Sequence, residues 1–244
     1  ERRRVKHEAR SLRGVQRGVS LMVVMVVLVL GTLLMLGSTR VGTLHGALVG
    51  SESDTQLAFA AAEALMRDAE LDILGQRADG TPCSDDPTVA VRCRNLAGPF
   101  FPEKDDDLDV LGASVSAANG GFQNCRQGVC LPATVDSLSP TVWVDQLSDM
   151  QSVAATYGQF TGTTTDEASN PLLSNAPVRA WYWVEVFRYA DATGILAPTG
   201  NRLRPDMDRH PYVYRITTFV QGSKPGTRVH LRSVFVPYPN PTYR

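Results

Sequence analysis

The chain has 244 residues and a nearly balanced formal charge of −1, with 24 Lys or Arg against 25 Asp or Glu. The balance hides a segregation: residues 1–17 hold seven basic side chains against two acidic ones, and the remainder holds 17 against 23. An acidic remainder disfavours unaided nucleic-acid binding, because phosphate contacts need a net basic surface.

The basic stretch leads into Gly18–Thr39, 22 residues without a charged side chain. As a helix this run is roughly 33 Å long, enough to cross a hydrocarbon core. A basic flank is held on the cytoplasmic side, so the residues after Arg40 are expected to face outward. Such a pattern fits a cleaved secretory signal, a permanent anchor or a prepilin-type signal. The first is disfavoured by length, since a secretory apolar core spans about 7–15 residues, and by the poor cleavage site in Gly37-Ser38-Thr39-Arg40. Gly42, Gly46 and Gly50 follow on one helical face, as a packing seam or a flexible linker.

Helical periodicity continues beyond the span. Ala58, Ala62, Leu65, Ala69 and Ile73 share one face, and Glu63 and Arg67 form a favourable i,i+4 pair. A helix unbroken from Val19 to Leu74 is about 84 Å long. The run Gln56-Leu57-Ala58-Phe59-Ala60-Ala61-Ala62-Glu63-Ala64-Leu65-Met66-Arg67-Asp68-Ala69-Glu70 resembles the "QLAFQAAEAALRDAE" signature of PilX-type minor pilins. Arg17-Gly18 before the apolar run resembles a prepilin peptidase site, which implies cleavage after Gly18 and methylation of Val19. Major pilins carry Glu at the fifth mature position; here that residue is Val23, an absence shared with the K-type pseudopilin at the tip of a type II secretion pseudopilus.

Gly75 and Asp79-Gly80-Thr81-Pro82 end the helix. From there to about Pro177 the periodicity is poor. This region holds all four cysteines, Cys83, Cys93, Cys125 and Cys130. An even count in an exported region reads as two disulfides, and local pairing (83 with 93, 125 with 130) is the simplest of three connectivities. Zinc is the rival, but the spacings and the lack of an intervening histidine fit it badly. Asp105, Asp107 and Asp109 alternate as calcium ligands do, yet Val110 stands where the loop glycine belongs, so a solvated loop is expected. Gly128-Val129-Cys130-Leu131-Pro132 with Trp143 resembles a Cys–Pro…Trp stretch of PilX-type heads.

Strand signals are clearest near the end. Ala180–Phe187 is aromatic and β-branched, Pro211–Gln221 alternates Tyr212, Tyr214, Ile216, Thr218 and Val220, and Gly222–Gly226 turns into Thr227–Val236. These predict an antiparallel hairpin with a third strand upstream, and they resemble the strand motifs that close PilX-type heads. No convergent catalytic group, nucleophile elbow, zincin motif or phosphate loop is present, and no cofactor is expected. The three tryptophans read as core at strand-like positions.

The expectation is an α+β chain in three parts: a cleaved leader 1–18, a spine helix 19–74 with a transmembrane part 19–39, and a head 75–244. The spine packs on a C-terminal antiparallel sheet. The resemblance implies a non-catalytic minor pilin, held in the inner membrane with a periplasmic head and then assembled into a surface pilus. Its partners would be other minor pilins, the major pilin, a large tip adhesin and the prepilin peptidase; twitching motility and adhesion would be served. The alternatives are a K-type pseudopilin and a single-pass anchored ligand- or calcium-binding domain.

Overall fold

The computed structural model describes residues 19–83, 93–94, 98–104, 106–164, 170–174, 176–191, 204–208 and 210–237; within these, the side chains of 19, 37–44, 140, 142, 144 and 191 lie outside the description. Two compact units divide the chain, Glu1–Gly50 and Ser51–Arg244, and helix α1 (Val19–Ile73) has residues in both.

In the first unit the backbone stays helical through Gly31, Gly37, Gly42, Gly46 and Gly50, so no linker interrupts α1 there. Every large apolar side chain from Leu21 to Leu36 is more than half exposed, Val23 among them. Thr32 turns its hydroxyl back to the Val29 carbonyl (2.9 Å), which satisfies it within the helix. Among the described residues no helix is long and apolar enough to cross a membrane; the described side chains of this segment stop at Leu36. Arg17 and Gly18 lie outside the described residues.

In the second unit α1 buries one stripe. Ala58, Ala62, Leu65 and Ala69 are fully buried as the spacing predicts, Ala61 joins them, and Ile73 is partly covered at the edge. Small side chains let the helix axis lie close to the layer beneath it. The predicted Glu63–Arg67 pair is replaced: Arg67 meets Glu70 at 3.8 Å, one of the two spacings that bring side chains together on a helix. The helix stops because Gly75 takes a positive φ of 61°. The Gly75 amide then reaches the Asp72 carbonyl and the Gln76 amide that of Leu71 (3.1 and 2.9 Å), closing a Schellman cap.

The sheet has six strands: β1 (Cys125–Arg126), β2 (Val129–Cys130), β3 (Ala155–Thr156), β4 (Ala180–Arg188), β5 (Tyr212–Gln221) and β6 (Arg228–Phe235). The predicted antiparallel trio is β4–β5–β6, with Val184 opposite Ile216 and Ile216 opposite Ser233. Tyr182, Val184, Val186, Tyr212, Tyr214, Ile216 and Val220 join the buried stripe of α1 in one core. The sheet is nevertheless mixed, since β2 runs parallel to β4. Neither β1 nor β2 is long enough to show a period of two. Their two-residue turn has positive φ at Gln127 (49°) and Gly128 (78°), as a type I′ hairpin requires. A Cβ on Gly128 would lie 2.5 Å from that of Ala155, so glycine is required there by contact as well as by conformation.

The opposite face of the sheet is also covered, by the region that lacked periodicity. Helices α3 (Pro140–Asp145) and α4 (Leu147–Ser152) bring Trp143 and Met150, together with Leu138 and Val153, onto Trp183. The Trp143 and Trp183 rings meet at 4.5 Å and 61°, and both indole N–H groups are satisfied, by the Leu138 and Met150 carbonyls. Core placement of these two tryptophans agrees with the sequence, but Trp143 sits on a helix rather than a strand. Next to them the cross-strand pair Glu185–Arg215 is buried, joined at 2.7 and 2.6 Å, with the Val135 carbonyl accepting a third bond from Arg215.

The acidic run expected as a solvated loop instead starts helix α2 (Asp107–Ser114). Asp107 accepts from the amides of Glu103 and Lys104 (3.1 and 3.0 Å), and carboxylates in a first helical turn complement the dipole. Leu111 and Val115 supply the buried face that fixes the helix.

Candidate functional site: three carboxylates that lock the spine helix to the head

Three aspartates interrupt the apolar stripe of α1 at helical spacing, and all are buried: Asp54, Asp68 and Asp72. A buried carboxylate is tolerated only where donors meet it, and each of these is met by a different part of the head.

Asp54 accepts the backbone amides of Ser223 and Lys224, at 2.9 and 3.0 Å, in the turn between β5 and β6. Burial works against its charge, but the Lys224 amide, the Thr227 hydroxyl and the Ser223 amide outweigh it, and its pKa lies below the ordinary value. Asp68 accepts from the Gly158 amide (2.8 Å) and from the Thr161 hydroxyl, with Thr163 more distant at 3.4 Å. Here desolvation wins, aided by the like charge of Asp72, and the pKa is raised to about 6. Asp72 receives a two-pronged contact from Arg94 (2.9 and 2.7 Å) and the Tyr182 hydroxyl (2.9 Å). The Arg94 guanidinium stands 3.7 Å from the Phe160 ring centroid and 5.0 Å from that of Phe101. Burial first, and then the Asp72 charge, push the Tyr182 phenol pKa well above its usual range, so it stays a donor.

The raised pKa of Asp68 carries a signed prediction. Folding favours its protonated form, so the contribution is complete below pH 3.8 and is lost as pH rises through about 6. Asn at this position keeps an acceptor for the Gly158 amide and does not titrate. Asp68→Asn is therefore expected to gain about 2–3 kcal/mol relative to the parent between pH 4 and pH 7. Denaturant unfolding at the two pH values measures it; parallel stability–pH curves would contradict it.

Sequence reading missed these acids because an apolar count skips them, although Asp54, Asp68 and Asp72 fall in phase with Leu65. The other expected sites are dispersed. Cys83 bridges Cys93, and Cys125 bridges Cys130. Val23 is exposed in the first unit. Asp107 and Asp109 share α2, Asp105 lies outside the described residues, and among the described residues no group of His, Cys, Asp or Glu is arranged to hold a metal ion. What the carboxylates can do is mechanical: they couple a helix to three distant head segments.

A scan of protein-family models matches residues 112–237 to the one described as "Type IV pilus assembly protein PilX C-term". No curated protein and no solved structure matches the chain. The matched segment takes in all six strands, α3 and α4, as well as the backbone groups that meet Asp54 and Asp68. It reaches into the middle region that the sequence motifs left largely uncovered. Because the match spans just over half of the 244 residues and contains the entire sheet, the chain belongs to the PilX family of type IV pilus assembly proteins.

Proposed function

We propose that this chain is a non-catalytic minor pilin that primes pilus assembly from a low-abundance complex at the filament tip. The observation that carries the reading is the two-part character of α1, apolar and exposed before Gly37 and locked to the head from Asp54 onward. A subunit of this form would be cut between Gly18 and Val19, methylated at Val19, and held in the inner membrane by residues 19–39 with its head outside. In the filament its α1 would pack among neighbouring spines, with other minor pilins, the major pilin and a large tip adhesin as partners. Twitching motility and adhesion would then depend on it.

Val23 supports the tip position. A body subunit needs an acid at that place to meet a neighbour's terminal amine, whereas an unpaired acid at the centre of a membrane helix costs about 2.5–3.5 kcal/mol. The K-type pseudopilin reading shares this absence, but family membership in pilus assembly favours the pilus.

Deleting the gene is expected to reduce sheared surface pili and twitching severalfold, with recovery on complementation. Intact mass of the membrane-extracted protein should begin at a methylated Val19. Unchanged pilus number after deletion, or a mature chain retaining Arg17, would overturn the minor-pilin reading. Val23→Glu should leave incorporation unchanged; a variant that spread along the whole filament would refute the tip position.

A further inference from the structure

The two disulfides differ in access. Cys125 and Cys130 are fully buried, whereas Cys83 and Cys93 are only partly covered. Exchange requires a thiolate to reach a sulfur atom, so reactivity follows access. The accessible bridge also has something to hold. Its second cysteine is followed directly by Arg94, whose side chain is 7% exposed against the 2% of Asp72. Its first cysteine donates its amide to the Gly75 carbonyl (2.8 Å), within the cap of α1. The bridge thus ties the end of the helix to the cation that neutralises Asp72. Asp72, Gly75 and Arg94 also line a cavity of about 180 Å³, together with Phe101 and His210.

We propose that Cys83–Cys93 is a thiol–disulfide exchange site whose closure latches Arg94 onto Asp72 and so sets the grip of the head on the last turns of α1. The co-reactant is a dithiol. One of its thiolates attacks a bridge sulfur, the S–S bond breaks, and the other cysteine leaves as a thiolate that takes up a proton. The second thiolate of the reductant then attacks the mixed disulfide and releases the remaining cysteine. Two electrons pass to the bridge, which becomes two thiols, while the reductant becomes a disulfide; a disulfide oxidant reverses the sequence. With the bridge open Arg94 loses its tether to the helix cap. Asp72 is then left beside the like charge of Asp68, with the Tyr182 hydroxyl as its remaining donor. The latch is independent of where in the filament the subunit sits.

The test uses the purified oxidised chain, graded dithiothreitol, alkylation mapped by mass, and amide hydrogen exchange. Cys83 and Cys93 should alkylate at reductant concentrations that leave Cys125 and Cys130 blocked. At that point the amides of residues 72–76 should exchange roughly tenfold faster, while those of β5 stay unchanged. Arg94→Gln with the bridge intact should accelerate the same amides, and reducing that variant should add less than about twofold, because both changes open one latch. If Arg94→Gln fails to fold, Arg94→Lys, which keeps a cation but not the two-pronged geometry, gives the same comparison with a smaller first step. The proposal is overturned if both bridges reduce together, if opening Cys83–Cys93 leaves exchange at 72–76 unchanged, or if reduction and the Arg94 variant act additively.

Discussion

Arg215→Met should destabilise the head by about 3–5 kcal/mol, because it strands the Glu185 carboxylate inside the sheet while removing every charge that faces it from β5. Glu185 is fully buried, and desolvation already pushes its pKa up in spite of Arg215. Without the guanidinium the carboxyl takes up a proton more readily, so the loss should be largest at neutral pH and shrink in acid. The double variant Glu185→Leu, Arg215→Met removes both charges and should lie within about 1 kcal/mol of the parent, since well-packed apolar replacements of buried pairs are often neutral or better. Urea unfolding followed by tryptophan fluorescence suits the measurement, with Trp143 and Trp183 close by in the same layer. A single variant costing as little as the double one would show that the pair is solvated rather than buried.

Ala62→Asp is the second large effect. Ala62 is fully buried on the stripe that also holds Asp68 and Asp72, so the substitution asks what separates a tolerated acid from an intolerable one. The native carboxylates have donors waiting: the Gly158 amide, the Thr161 hydroxyl, Arg94 and Tyr182. A carboxylate at position 62 would stand among Leu65, Ala58 and the apolar side chains of the sheet, and the expected cost is about 3 kcal/mol or more. Ala60→Asp, on the exposed side of the same helix, should stay within about 0.5 kcal/mol. Surface pili counted after shearing, with protein levels matched by blot, extend the comparison to function. Loss of pili with Ala62→Asp and not with Ala60→Asp is expected if the spine's grip on the head is what assembly uses; equal counts would refute that link.

The parts of this fold legible in the sequence are those with long, regular periodicity. The spine helix and the strands β5 and β6 each present enough repeats for one face to be counted, and the stripe counted on α1 is the one it buries; the second buried face of the sheet has no such signal. Trp143 reads as strand rather than helix, and Met150 has no signal at all, because α3 and α4 are six residues each, too short for a helical period to rise above noise. The strands β1 and β2 are shorter still, and both the parallel pairing of β2 with β4 and the close approach of Gly128 to Ala155 are tertiary facts without a local pattern. Asp107 and Asp109 misled for another reason: acids read as solvated loop are equally at home in the first turn of a helix, and Leu111 and Val115 decide between the two. The carboxylate stripe was in phase with the apolar one, and only the identity of its partners, 22 to 170 residues away, makes it intelligible.

Those separations bear on how the chain comes together in time. Asp54 is satisfied by the turn that precedes the last strand, and Asp68 by a loop more than ninety residues downstream. Until those segments exist, the second half of α1 shows water a row of ionised groups on its most apolar side. A nascent helix marked in this way is hydrated along its seam and has little reason to stick to another copy of itself. The donors for Asp54 come last of all, in the β5–β6 turn, so the final hairpin completes a seam whose helix was made first.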